Sequence, residues 1–163
     1  MEKFTFFYRT QNVFSQWHPA KFVIDEIEYN CAEQYMMHQK ALLFDDIETA
    51  GKILQKTDPR DQKALGREVK EFSWEIWEAK AKEIVYKANQ AKFTQDEEML
   101  IQLLKTEGIT LVEASPSDTI WGIGYTEDHP NAQDRTKWRG TNWLGEILTQ
   151  LREDLLKLMN EKK

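Results

Sequence analysis

The sequence predicts an α+β fold, a single helix-rich domain around a small, mainly antiparallel sheet. Three observations carry this. Two β-prone stretches, "KFTFFYRT" and "KFVIDEIEYN", stand near the start of the chain. Segments with helical spacing and helix-start residues dominate the chain beyond them. One buried-strand pattern, "ITLVEA", comes late. No linker, repeat or low-complexity run interrupts the 163 residues, so one domain is expected over 1–163.

Each element has a local reason. "KFTFFYRT" holds three phenylalanines and a tyrosine, and "FSQWHP" is a loop ended by Pro19. "KFVIDEIEYN" reads as two short strands turning at Asp25 and Glu26, without the usual glycine. Asn30 is expected to cap the helix "CAEQYMMHQKALLF", with Glu33 at the capping-box position. A short helix runs from near Asp45 through Leu54, and Asp58-Pro59 opens a third. Ser73 opens a longer one, along which Trp77, Ala81, Ile84 and Ala88 recur at helical spacing. Thr94 and Glu97 form a second capping box before "MLIQLL", and Gly108 stops that helix. After "ITLVEA" comes "SPSDTIWGIG", then a polar loop from Tyr125 to Gly140 that holds Pro130. The last helix starts near Thr141 or Asn142, with a core stripe of Leu144, Ile147, Leu148, Leu151, Leu155 and Leu158.

Composition narrows the function classes. The chain is 40% apolar and 12% aromatic with six tryptophans, enough for a core and for rings that meet a ligand. A net charge of −6 argues against a nonspecific nucleic-acid coat, which rests on Lys and Arg contacts to phosphate. Cys31 is the only cysteine, so no internal disulfide and no cysteine-rich zinc site can form. His18, His38 and His129 are scattered, and no metal is expected. No apolar run spans a bilayer and the first residues lack a signal-peptide core, so a cytoplasmic protein is expected. Phosphate-loop, dinucleotide, nucleophile-elbow and HExxH motifs are missing.

"SPSDTIWGIG" is hard to read as core. It places the carboxylate of Asp118 three residues before the flat ring of Trp121, followed by Gly122 and Gly124. Glycines let a backbone turn sharply or approach a ligand closely. Asp118 also fits the simpler role of capping a local turn. On the first long helix Glu33, Met37, Lys40 and Phe44 share a face. The simpler account there is that Glu33 completes the cap and Lys40 is solvated. Trp77 fits an apolar stripe, so part of it packs. Arg67 and Lys92 are candidate phosphate holders, each more simply a solvated cation.

Six ordered segments resemble the NADAR superfamily, which includes the YbiA-like N-glycosidases. They are "FSQWHPAKF", "YNCAEQYMMHQKALLF", "DPRDQKALGR", "WEAKAKEIVYKANQAKF", "LVEASPSDTIWGIG" and "WRGTNWLGEIL". The resemblance implies a hydrolase acting at an N-glycosidic carbon. Its YbiA branch is associated with ribosylamino-pyrimidine phosphates of early riboflavin synthesis, and other members remove ADP-ribose from guanine. It implies Asp118, Trp77 and Glu33 as catalytic residues. Beside these, Lys40, Arg67, Lys92, Trp121 and Gly122 are candidate substrate contacts. The chain departs at Asp25-Glu26, where many relatives turn with glycine.

Cleaving a ribosyl C–N bond builds oxocarbenium-like charge, which carboxylates stabilise. Asp118 is assigned that role, and Glu33 activates water or orients ribose hydroxyls. Trp77 or Trp121 stacks on the base, and the cations receive a phosphate. No metal or redox cofactor is needed. The alternatives are an ADP-ribosyl-guanine hydrolase, a non-catalytic ADP-ribose-type binding module, and a domain whose tryptophans are all core. The expectation is that Glu33, Trp77, Asp118 and Trp121 gather around one cleft. Arg135, Lys137 and Arg139 beside Trp138 form a cluster that would suit a pyrophosphate or a strand end.

Overall fold

The computed structural model describes residues 1–162 and bears out the α+β class. Four strands are β1 (Phe4–Phe7), β2 (Phe22–Ile24), β3 (Ile27–Tyr29) and β4 (Thr110–Glu113). Six α-helices are α1 (Ala32–Leu43), α2 (Ile47–Gln55), α3 (Pro59–Gly66), α4 (Trp74–Thr94), α5 (Glu97–Leu104) and α6 (Trp143–Glu161). The chain divides into two compact units. A central unit comprises Gln16–Gln95, and a terminal unit comprises Met1–Ser15 with the chain from Asp96 onward.

The strands form two separate pairs, one in each unit, in place of one small sheet. In the central unit β2 and β3 are antiparallel, with Val23 opposite Glu28. Their turn uses Asp25 and Glu26 at φ 50° and 68°, the two left-handed positions that a type I′ hairpin demands, here met without glycine. In the terminal unit β1 and β4 are parallel, Phe4 facing Thr110 and Phe7 facing Glu113. The parallel sense departs from the expected mainly antiparallel sheet. Its cause is topological: the whole central unit lies between β1 and β4 in sequence, so no hairpin sets their direction.

Two caps fall one or two residues later than the sequence suggests. Cys31, not Asn30, is the first residue flanking α1, and it makes no side-chain cap bond. The reach-back to the Asn30 N–H comes from the Gln34 side chain at 2.8 Å, not from Glu33. Asn30 instead donates to the Thr57 carbonyl and accepts from Gln62. For α5 the cap is Asp96, whose carboxylate accepts from Met99 N, while the Thr94 hydroxyl donates back to Gln90 O within α4. That helix ends at Leu104, and Gly108, at φ 82°, turns the chain toward β4.

The central unit is built around α1, against which α2, α3 and α4 pack. Ser73 caps α4 as expected, and Trp77, Ala81, Val85 and Ala88 form its buried stripe. Asp46 braces this unit. One carboxylate oxygen accepts from Thr49 N at the start of α2, and the other accepts from Lys70 N after α3.

In the terminal unit Val112, Ile123, Tyr125 and Ala132 form a buried cluster, flanked by Phe4, Phe6 and Trp138. Along α6 the stripe is buried at Leu144, Ile147, Leu148 and Leu151, half-buried at Leu155 and exposed at Leu158. Among the described residues no helix is long and apolar enough to cross a membrane.

Candidate functional site

The residues singled out in the sequence fall into two groups. Asp118, Trp121 and Gly122 lie in the terminal unit, while Glu33, Lys40, Arg67, Trp77 and Lys92 lie in the central unit.

The loop after β4 is built around Asp118. One carboxylate oxygen, Oδ1, accepts from Ile120 N at 2.9 Å and Trp121 N at 2.8 Å. Asp118 therefore does cap a turn, and the cap aims the carboxylate: the half-buried side chain is held by one oxygen, and no bond to Oδ2 is made among the described residues. The loop hangs from the start of α6. The N–H groups of Thr141, Asn142, Trp143 and Leu144 donate to the carbonyls of Thr119, Gly122, Ile120 and Trp121. Gly122 is required by space, since a Cβ there would stand 2.9 Å from Glu113 O and 3.0 Å from Glu113 Oε2. Trp121 is half-buried and meets Trp143 edge to face at 5.5 Å.

In the central unit the reach-back to Asn30 N–H expected of Glu33 is made by Gln34. Glu33 is buried, as is Trp77, which is only 6% exposed, whereas Trp74 is 44% exposed. The Lys40 ammonium stands 5.8 Å from the Trp77 ring centroid and 4.6 Å from that of Phe72. Burial lowers the Lys40 pKa, the Glu33 carboxylate opposes this, and the Arg67 guanidinium adds to it. Two cations thus lie close enough to repel, an arrangement that an anionic ligand relieves. Phe72 is the ring that sequence reasoning missed. Its signal is weak, because it sits in a loop outside any periodic stripe.

Lys92 overturns the expectation of a solvated cation. It is only 1% exposed, and burial pushes its amine down to about 7, against a smaller upward pull from Cys31. Burial also pushes the Cys31 thiol up to about 11, so it is a poor nucleophile near neutrality. Lys92 makes stability depend on pH. Unfolded, its amine returns to the ordinary value of 10.5; folded, it titrates near 7. Between these values folding expels a proton, so stability rises with pH across that window and is flat on either side. Lys92→Met is expected to flatten this pH dependence, because no amine remains to titrate at that position. Urea midpoints at neutral and alkaline pH measure this, and parallel profiles for the two proteins would refute it.

The cluster at Arg135 is already engaged. Its guanidinium binds Glu2 and, at 2.6 Å, Glu146, and it lies over the Trp138 ring. Arg139 lies over Tyr125.

The model of the NADAR domain matches residues 6–156. The chain belongs to the NADAR family. N-glycosidase R617 of Acanthamoeba polyphaga mimivirus is 40% identical over 164 residues, covering 94% of this chain and 96% of that protein. The chloroplastic riboflavin biosynthesis protein PYRR of Arabidopsis thaliana is 28% identical, over 93% of this chain and 27% of that longer protein. The NMR structure of the E. coli protein YbiA superposes with a TM-score of 0.81 at 28% identity, covering 99% of this chain and 90% of that one. The expected enzyme class, N-glycosidase, is the one that R617 carries in its name.

Proposed function

We propose that this NADAR protein hydrolyses the ribosyl C–N bond of a small phosphorylated N-glycoside, with a ribosylamino-pyrimidine phosphate of riboflavin synthesis preferred. The observation that carries the reading is Asp118, a carboxylate fixed through one oxygen by two backbone N–H groups. Fixed charge costs no reorganisation when an oxocarbenium-like centre develops. The names of R617 and PYRR support the reaction class and a place in riboflavin synthesis respectively.

In the proposed reaction Asp118 stabilises the developing positive charge. Glu33 takes a proton from the attacking water or orients the ribose hydroxyls. The departing nitrogen gains a proton as the C–N bond breaks. Lys40 and Arg67 receive the phosphate, while Trp121 offers a partly open ring and Gly122 a close backbone approach. Trp77, being buried, contributes through its edge and through the Lys40 ammonium.

Two features favour the small substrate over ADP-ribosyl adducts on nucleic acid. The net charge of −6 supplies no field for a polyanion, and Arg135 is neutralised by two carboxylates. The test is a panel of ribosylamino-pyrimidine phosphate, NAD and ADP-ribosylated guanosine, with release of base or sugar measured. Fastest cleavage of the pyrimidine compound is expected. Faster cleavage of the guanosine adduct would reassign the substrate, and tight binding without cleavage of any member would mark a binding module.

A further inference from the structure

Phe72 is a large apolar side chain left 43% exposed, in the segment between α3 and α4. Its backbone is held in place. The residue before it, Glu71, is left-handed at φ 58° without being glycine. The Asp46 carboxylate clasps the same segment through Lys70 N at 3.0 Å. A second ring, Phe44 at the end of α1, backs Phe72 at 5.4 Å, and it too adjoins a left-handed residue, Asp45 at φ 57°. Two left-handed non-glycine residues and the Asp46 carboxylate thus adjoin this pair of rings. Strain of this kind persists where surrounding structure over-determines it, commonly beside functional groups.

What the Phe72 ring faces is the Lys40 ammonium, which stands 4.6 Å from its centroid, closer than to Trp77 at 5.8 Å. A ring face attracts a cation and restricts it without neutralising it, as a carboxylate would. The flexible Lys40 chain thus arrives preorganised and keeps its charge for a ligand.

We propose that Phe72 is a positioning residue whose ring seats the Lys40 ammonium where it receives the anionic group of the substrate. This rests on the reading of Lys40 as a phosphate contact. It does not depend on which N-glycoside is cut. Phe44 and Asp46 serve the seat by fixing the Phe72 ring.

The experiment is a double-mutant cycle on binding of ribose 5-phosphate, followed by calorimetry, with Phe72→Leu, Lys40→Met and the double variant. Leucine keeps the apolar bulk and removes the ring. Phe72→Leu is expected to weaken binding about three- to tenfold, the range that a seated cation supports. The same change in the Lys40→Met background should cost nothing further, because the ring then has no cation to seat. Phe72→Tyr should restore parent affinity. Phe72→Leu should also move the Lys40 side-chain NMR signals by removing the ring current. Additive losses in the cycle, unmoved Lys40 signals, or no binding of ribose 5-phosphate to the parent would each overturn the proposal. Turnover on the substrate panel is measured separately. Failure of the whole panel with the cycle intact would discard the N-glycosidase reading and leave the seat standing.

Discussion

Asp118→Asn is expected to lower turnover on the true N-glycoside by at least about a hundredfold, with the melting temperature nearly unchanged. The reasoning is geometric. Oδ1 of Asp118 accepts the Ile120 and Trp121 N–H groups, and an asparagine side chain offers an amide oxygen in the same place. The turn is therefore preserved and only the charge is removed. A hundredfold loss corresponds to about 2.7 kcal/mol of transition-state stabilisation, a modest share for a fixed carboxylate beside a developing cation. Steady-state kinetics and thermal unfolding on the same preparation separate the outcomes. Normal turnover would move the charge-stabilising role elsewhere, with Glu33→Gln as the next variant. A fall in melting temperature equal to that of Asp118→Ala would mean that capping the turn is all Asp118 does.

Much of this architecture is written in local residue chemistry. Asp58-Pro59 and Ser73 mark the starts of α3 and α4 because their cap geometry is set by neighbours in sequence. The hairpin at Asp25-Glu26 is legible despite poor turn residues, because two strand patterns flank it. What the sequence hides is competition. Asn30 looks like a cap, yet its side chain is taken by Thr57 and Gln62, both distant in sequence. Thr94 looks like a cap, yet its hydroxyl turns back to Gln90. The parallel pairing of β1 with β4 spans the whole central unit, so no local signal announces it. The site divides in the same way. Asp118 stands out through its glycine-rich setting, and Glu33 stands out only once Gln34 is seen to cap. The burial of Lys92 contradicts the ordinary behaviour of lysine, and Phe72 belongs to no periodic pattern.

Asn142→Ala is expected to be among the most destabilising single changes, lowering stability by about 3–7 kcal/mol. Asn142 is fully buried at the start of α6 and left-handed, with φ 52° and ψ 39°. Its side chain joins two places on β4. Nδ2 donates to Leu111 O at 3.1 Å, and Oδ1 accepts from Glu113 N at 2.9 Å. Alanine would leave both backbone groups buried and unmet, at about 1–3 kcal/mol each, and would lack the local side-chain bonding that lets asparagine adopt left-handed backbone, at roughly 1 kcal/mol more. For a chain of this size each kcal/mol lowers the melting temperature by about 2–4 °C. Asn142→Gly should be milder, since it removes the backbone strain and loses only the two side-chain bonds. Asn142→Asp should be no milder than alanine near neutral pH, because it sets a carboxylate oxygen against the Leu111 carbonyl in a fully buried site. The same residue carries the Asp118 loop, because Asn142 N donates to Gly122 O. Turnover at temperatures well below melting should therefore fall as well, and amide exchange at residues 141–144 should speed up. A melting temperature for Asn142→Ala within about 2 °C of the parent, less than 1 kcal/mol by the same scale, would show that β4 and the loop hold their places without it.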